Sequence, residues 1–217
     1  MPYYHVIYRD ARGQETSRIE NDGKTLTTWL RGVCFSGEDF DSLSPAEDSK
    51  GDHLQEFDLH QECLCCCKLV VTIPTIIVER SSELSLDLEV IIELGTPTPE
   101  GGLESEDVSI RLLHPKGEVK SSGTSGWFEN ELLDIQRGLP EGSRLKNCIG
   151  CAYSDYSPFG HGLFGGMLCF RNLKEEYSAV ETKDDLLSLH DRFDRFVQET
   201  YLCDEFEVRQ PNTGYRG

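Results

Sequence analysis

Apolar and polar residues alternate through much of the first 120 positions, the period of a half-buried β-strand. The longest such run is 84–94, where Leu84, Leu86, Leu88, Val90, Ile92 and Leu94 share one face. Ser85, Asp87, Glu89, Ile91 and Glu93 fall on the other, so one side must meet a core and the other water. Tyr4, Val6 and Tyr8 alternate with Tyr3, His5 and Ile7, and Asp10-Ala11-Arg12-Gly13 predicts a hairpin turn into a strand over 15–20. Further strands are predicted over 26–35, 108–113 and 63–73, the last with Cys65, Cys67, Leu69, Val71 and Ile73 on one side. Several short strands separated by turn signals predict an antiparallel, sandwich-like β-region.

The period changes beyond Ser121-Ser122-Gly123-Thr124-Ser125-Gly126, a stretch with the composition of a linker. Residues 127–139 put Phe128, Leu132, Ile135 and Leu139 on one helical stripe, closed by Gly138 and Pro140. Strands are predicted over 145–153 and 163–170. Thr182 and Asp185 have capping-box spacing and open a helix with Leu186, Leu189, His190, Phe193 and Val197 on one face, running into Tyr201-Leu202-Cys203. The expected fold class is α+β. A β-rich region over 1–120 packs with an α+β unit over 121–217 that holds a cluster of cysteines.

Charge narrows the class. The 217 residues carry 39 acids against 21 Lys and Arg, a net charge of -18. Residues 1–147 hold net -13 of this, with nine acids and one lysine between 36 and 62, a stretch expected to be a solvated acidic loop. A second loop is expected over 95–107. Phosphate repulsion excludes direct duplex binding, whereas a field of this sign speeds encounter with a basic protein partner. No stretch approaches the ~20 apolar residues that span a bilayer. The start, Met-Pro-Tyr-Tyr-His, lacks the regions of a signal peptide, so a cytoplasmic protein is expected.

Nine cysteines in such a chain point to thiols, and their odd number forbids complete pairing within the chain. Cys148-Ile149-Gly150-Cys151 has the C-x2-C shape of a zinc knuckle, with Cys169 and Cys203 downstream. Zinc takes four soft or borderline ligands in a tetrahedron, and thiolates close its structural sites. Cys148, Cys151, Cys169 and Cys203 are therefore the candidate ligands of one structural zinc, with His161 able to replace Cys169. Burial in a core, or a redox couple at the C-x2-C, are the competing uses. Cys63-Leu64-Cys65-Cys66-Cys67 reads as strand packing, with His60 nearby as a weaker metal option.

The loop 154–166 contains four glycines in seven residues, which lets the backbone turn sharply or approach a ligand. It has no phosphate-loop lysine and no nucleophile elbow. Asp155, Ser157 and His161 are the residue types of a hydrolytic triad, but nearness in sequence is not triad geometry.

The string Cys148-x-x-Cys151-x-x-Ser154-Asp155-Tyr156-Ser157-Pro158, with Gly160-x-Gly162-x-Phe164-Gly165 and Cys169-Phe170-Arg171, resembles an uncharacterised family of bacterial proteins that carries only an unknown-function label. Val197-Gln198-Glu199-Thr200-Tyr201-Leu202-Cys203-x-Glu205-Phe206 and Thr213-Gly214-Tyr215-Arg216-Gly217 are similar to its C-terminal signature. The resemblance covers about 84–217 and is specific in the last 70 residues; Asp204 departs from an expected proline. It implies that the C-terminal cysteines belong together and implies no activity.

Two functions compete on the sequence. One is a non-enzymatic, acidic interaction protein stabilised by zinc, analogous to immunity proteins that cover a basic toxin site. The other is a zinc- or thiol-dependent enzyme using the Gly-rich loop beside Cys148 and Cys151. The oligomeric state is left open by the sequence.

Overall fold

A computed structural model describes residues 3–49, 51–80, 82–160 and 162–216. Strands β1 (Tyr3–Asp10), β2 (Gly13–Asn21), β3 (Leu26–Leu30), β4 (Val33–Gly37) and β5 (Ser44–Pro45) form a meander, each antiparallel to the next. A short hairpin, β6 (Leu59–His60) and β7 (Cys63–Leu64), leads into the long strands β8 (Cys67–Glu79) and β9 (Ser82–Leu94). Strands β10 (Glu106–His114) and β11 (Gly117–Lys120) and helix α1 (Phe128–Gly138) follow. The chain continues through β12 (Ser143–Leu145), β13 (Ser154–Tyr156), β14 (Met167–Cys169), α2 (Lys174–Ser178), α3 (Lys183–Leu189) and β15 (Arg195–Val197). This is a β-rich antiparallel structure with a few helices, consistent with the α+β class.

The chain forms two compact units. The first comprises Met1–Pro74 and Leu86–Pro140, the second Thr75–Ser85 and Glu141–Gly217. The expected division at residue 120 thus differs in two places: α1 belongs to the first unit, and the tip of the β8–β9 hairpin belongs to the second.

In the first unit the strands run in the order β11-β10-β9-β8-β1-β2-β3-β4-β5. They make one hydrogen-bonded sheet where a two-sheet sandwich was the expectation, because β1 pairs with β8 and joins the meander to the long strands. The alternating patterns decide which face is buried. Tyr4, Val6 and Tyr8 on β1, Leu88, Val90, Ile92 and Leu94 on β9, and Val108, Ile110 and Leu112 on β10 all lie inside. Helix α1 buries Phe128, Leu132 and Ile135, the stripe expected of it.

Four expectations need correction here. Residues 26–35 are a hairpin, not one strand. Arg31 and Gly32 both have positive φ (46° and 81°), the requirement of a tight two-residue turn whose twist suits the flanking strands. The run 63–73 is also broken, since Cys66 has φ 50° between β7 and β8. The acidic stretch 36–62 is not a solvated loop: Phe40, Leu43 and Phe57 are buried in the core, and Arg31 donates to the Glu56 carbonyl at 2.8 Å. Segment 121–126 does not act as a linker. Glu131, fully buried on α1, accepts from the Gly123 and Ser125 amides at 2.6 and 3.0 Å and from the Ser125 hydroxyl. Burial alone would raise this carboxyl, but the Ser121, Ser125 and amide donors outweigh it and hold the pKa below its ordinary value.

In the second unit, β12 pairs with the far end of β8, Leu145 opposite Ile77 and Ser143 opposite Glu79. Strands β13, β14 and β15 make a small antiparallel sheet. Leu168, Phe170, Tyr177, Val180, Leu186 and Leu189 form one apolar cluster, with Phe170 and Tyr177 stacked at 4.7 Å. The Thr182–Asp185 capping box is present, as its spacing predicts. The helix it opens is shorter than expected. It ends at Leu189, and Val197 reaches the core on β15 instead.

Candidate functional site

The C-x2-C lies on a single 3-10 turn (Cys148–Gly150) where a strand was expected. The Cys148 and Ile149 amides donate to the carbonyls of Tyr201 and Glu199, so this turn is tied to the segment that precedes Cys203. Cys169 ends β14, packed beside Cys148, Tyr156, Met167 and Val197. Cys203 follows Tyr201 in irregular chain, where a helix was expected.

The thiol of Cys148 lies within electrostatic reach of Cys151, Cys169 and Cys203, and that of Cys169 within reach of Cys151. Burial first, and these neighbouring sulfurs second, push the Cys148 thiol up, opposed by the Arg195 guanidinium. That is the reverse of an activated thiol, whose surroundings favour the thiolate. All nine cysteines are free. The four are right in kind for zinc, yet among the described residues no group of three or more His, Cys, Asp or Glu is arranged to hold an ion. Asn147 at the start of the turn is fully buried, and neither side-chain amide atom has a hydrogen-bond partner. His161, the alternative ligand and triad candidate, lies outside the described residues.

Beside the cysteines sits a buried polar network. Asp155 on β13 is 2% exposed and accepts from the Tyr177 hydroxyl at 2.8 Å and the Tyr156 amide at 2.8 Å. Arg216 places its Nε 3.5 Å from the same carboxylate and donates to the carbonyls of Ile149 and Ser154. Arg209 donates to the Tyr177 hydroxyl, to the Cys151 carbonyl at 2.8 Å, and to Ser154. The turn at Gly214 brings the chain across Tyr177 so closely that a Cβ there would stand 2.5 Å from its ring, and its φ of 68° suits glycine.

Glu199 is the second buried acid. Its Oε1 accepts from the Tyr156 hydroxyl at 2.9 Å and its Oε2 from the Gly165 amide at 2.7 Å. Burial raises its pKa to about 7, against the lowering pull of those two donors and of Arg216. Both buried acids of the second unit are thus engaged by protein groups. Ser157 is half-buried and its hydroxyl oxygen accepts from the Phe159 amide at 3.3 Å; the third triad type, His161, lies outside the described residues.

Comparison with known proteins gives one match, a profile over residues 2–154 of a family of unknown function (DUF6304). The chain belongs to this family of unknown function. No curated protein and no solved structure matches. The family match runs through the first unit and takes in Cys148 and Cys151, but it stops before Cys169, Cys203 and the tail at 209–216. The expected resemblance, over about 84–217 and specific in the last 70 residues, is thus met only as membership of a family of unknown function: the match takes in the first 80 residues and ends before most of the C-terminal signature.

Sequence reasoning grouped the cysteines but missed Tyr177, Glu199 and Arg209 as members of a site. Tyr156, Glu199, Gly214 and Arg216 enter the sequence reading only as parts of a motif, and Asp155 as a triad residue type. Their spacing gives no period, because the contacts that tie the site together join positions up to 67 residues apart.

Proposed function

We propose that this is a non-enzymatic, cytoplasmic recognition protein of bacterial type that binds a basic protein surface, in the manner of an immunity protein. The observation that carries the reading is the outward row on β9 and β10. Asp107 stands directly opposite Glu93, with Asp87 and Glu89 along the same face of β9. Like charges opposed across a strand pair are destabilising, and folding alone does not select them. Lys68 and Arg111 offset part of the charge, at 2.5 Å from Glu93 and Glu89. Asp87 and Asp107 remain exposed at the surface. The acids of 36–62 support the reading less: Asp39 is buried, and burial beside Asp39 pushes the Asp41 carboxyl up.

Cytochrome c serves as a basic probe, its association followed by stopped flow. Asp87→Lys/Asp107→Lys should slow association about tenfold at low salt and flatten its salt dependence. The same variant should gain up to about 1 kcal/mol of stability as the opposed charges are removed. An association rate equal to wild type at low salt would overturn the reading.

A second reading concerns Cys148, Cys151, Cys169 and Cys203. The electrostatic influence of the other three thiols on Cys148 supports these four as thiolate ligands of one structural zinc. The zinc would have to draw together side chains not now arranged around an ion, and would couple metal to folding. Metal analysis on protein purified without chelator should give one zinc per chain, lost in Cys151→Ser. Metal-free protein with an unchanged fold would end it.

A further inference from the structure

A second group of thiols lies in the first unit, and the functional site makes no use of it. Cys65 and Cys67 are 1% and 6% exposed, while Cys66 between them is half-buried. In a regular strand, Cys66 would point away from its neighbours. Instead its φ of 50° turns the chain left-handed at that residue, and the turn is held by the Cys66 amide on the Gly95 carbonyl (3.1 Å) and the Cys65 amide on the Asp58 carbonyl (3.0 Å). The turn thus sets Cys65 and Cys66 side by side, and after burial it is Cys66 that pushes the Cys65 thiol up. A cavity of about 350 Å³ opens on this turn, lined among others by Cys66, Cys67, Arg9, Lys68 and Glu93. Its size suits a small organic molecule, and its wall is of mixed charge, Arg9 and Lys68 standing with Asp10 and Glu93 and Lys68 paired to Glu93 at 2.5 Å.

We propose that Cys66 and Cys65 form a thiol–disulfide exchange site that accepts a low-molecular-weight disulfide bearing both carboxylates and amino groups, of the glutathione class, in this cavity. The Cys66 thiolate attacks one sulfur of the disulfide RSSR. The S–S bond breaks, and the first RS⁻ leaves with the electron pair and takes up the proton that Cys66 gave. The Cys65 thiolate then attacks the Cys66 sulfur, the Cys66–SR bond breaks, and the second RSH leaves with the proton of Cys65. Two electrons pass from the protein to RSSR, giving a Cys65–Cys66 disulfide and two RSH. Cys66 enters first because it is the thiol of the pair that lines the cavity, while Cys65 is buried behind it. Burial first and the adjacent Cys66 second push the Cys65 thiol up, which makes it the slower, resolving partner. Adjacent Cα atoms lie ~3.8 Å apart, closer than the 4.4 Å or more usual for a disulfide, so the oxidised pair is strained and easily reduced. The step is reversible, and a site of this kind reports the thiol–disulfide balance around it.

The experiment uses the full chain, reduced, freed of reductant and exposed to oxidised glutathione. Tryptic peptide 51–68 contains Cys63, Cys65, Cys66 and Cys67 together. Wild type should pass through a glutathione adduct on Cys66 to a peptide lighter by two hydrogens, with fragmentation placing the bond at Cys65–Cys66. Cys65→Ser should stop at the Cys66 adduct and accumulate it, and Cys66→Ser should form neither adduct nor bond at this turn. Native wild type pulsed with iodoacetamide needs no variant to fold, and Cys66 should label before Cys65 and Cys67. Labelling of Cys66 no faster than of those buried neighbours, a disulfide at another pair, or no adduct in Cys65→Ser would each overturn the proposal.

Discussion

Replacing Glu199 with glutamine removes one ionisation from the interior of the second unit and leaves its shape in place. The glutamine oxygen can accept from the Gly165 amide, and its NH2 can donate to the Tyr156 hydroxyl, which turns from donor to acceptor. The folded chain holds the Glu199 proton to about pH 7, whereas the unfolded chain releases it near 4.5. Stability from this group is therefore fully present below pH 4.5, is lost as pH rises to about 7, and stays lost above. The difference corresponds to about 3 kcal/mol. Glu199→Gln should match wild type at pH ~4.5 and exceed it by about 3 kcal/mol at pH ~8.5, or roughly 6–12 °C in Tm for a chain of this size. Both tryptophans, Trp29 and Trp127, belong to the first unit, so fluorescence would follow the other part of the chain. Calorimetry with amide exchange over 154–169 and 195–201 reads the right one. A gap between the two proteins that stays constant with pH would refute the argument, as would a variant less stable than wild type at pH ~8.5.

Gly214→Ala forces a Cβ to 2.5 Å from the Tyr177 ring at a φ of 68°, and should cost about 2–3 kcal/mol, read as loss of exchange protection at Tyr177 and its neighbours. Glu131→Ala leaves the Gly123 and Ser125 amides without their acceptor. It should cost about 2–3 kcal/mol and open 121–126 to limited proteolysis, a segment that wild type protects; equal cleavage of both proteins there would sink the idea.

The elements that sequence alone located are those whose signal is local and periodic. The β9 alternation, the β1–β2 turn at Asp10–Gly13, the α1 stripe and the Thr182 capping box all depend on neighbours within a few residues. The misses have a shared cause. In 26–35 the strand pattern runs unbroken across Arg31, a residue rarely found left-handed, so the turn is hidden. It is stabilised from outside by Asp10, which accepts from Arg31 at 2.7 Å through both oxygens and is held at about pKa 2 chiefly by that bond. In 36–62 the acids mask three aromatic and aliphatic anchors whose burial no period announces. The helix after Thr182 was drawn too long because Phe193 and Val197 continue its spacing while serving a turn and a strand. The candidate site was half legible. Four cysteines could be grouped by chemistry, but Glu199 and Tyr177 look like ordinary surface-helix residues until the chain folds.

The tip of the β8–β9 hairpin belongs to the second unit, and this sets a timetable for a chain made from its N-terminus. Thr75–Ser85 is synthesised about 60 residues ahead of β12, the strand that pairs with Ile77–Glu79. At 5–20 residues per second that is a delay of about 3–12 s. During it the unpaired edge of β8 and the side chain of Ile77, destined for full burial, stand open to other chains. Nascent chains whose emerged part ends between residues 95 and 140 would therefore be the forms most prone to aggregate or to engage a chaperone, and emergence past residue 145 would end that exposure.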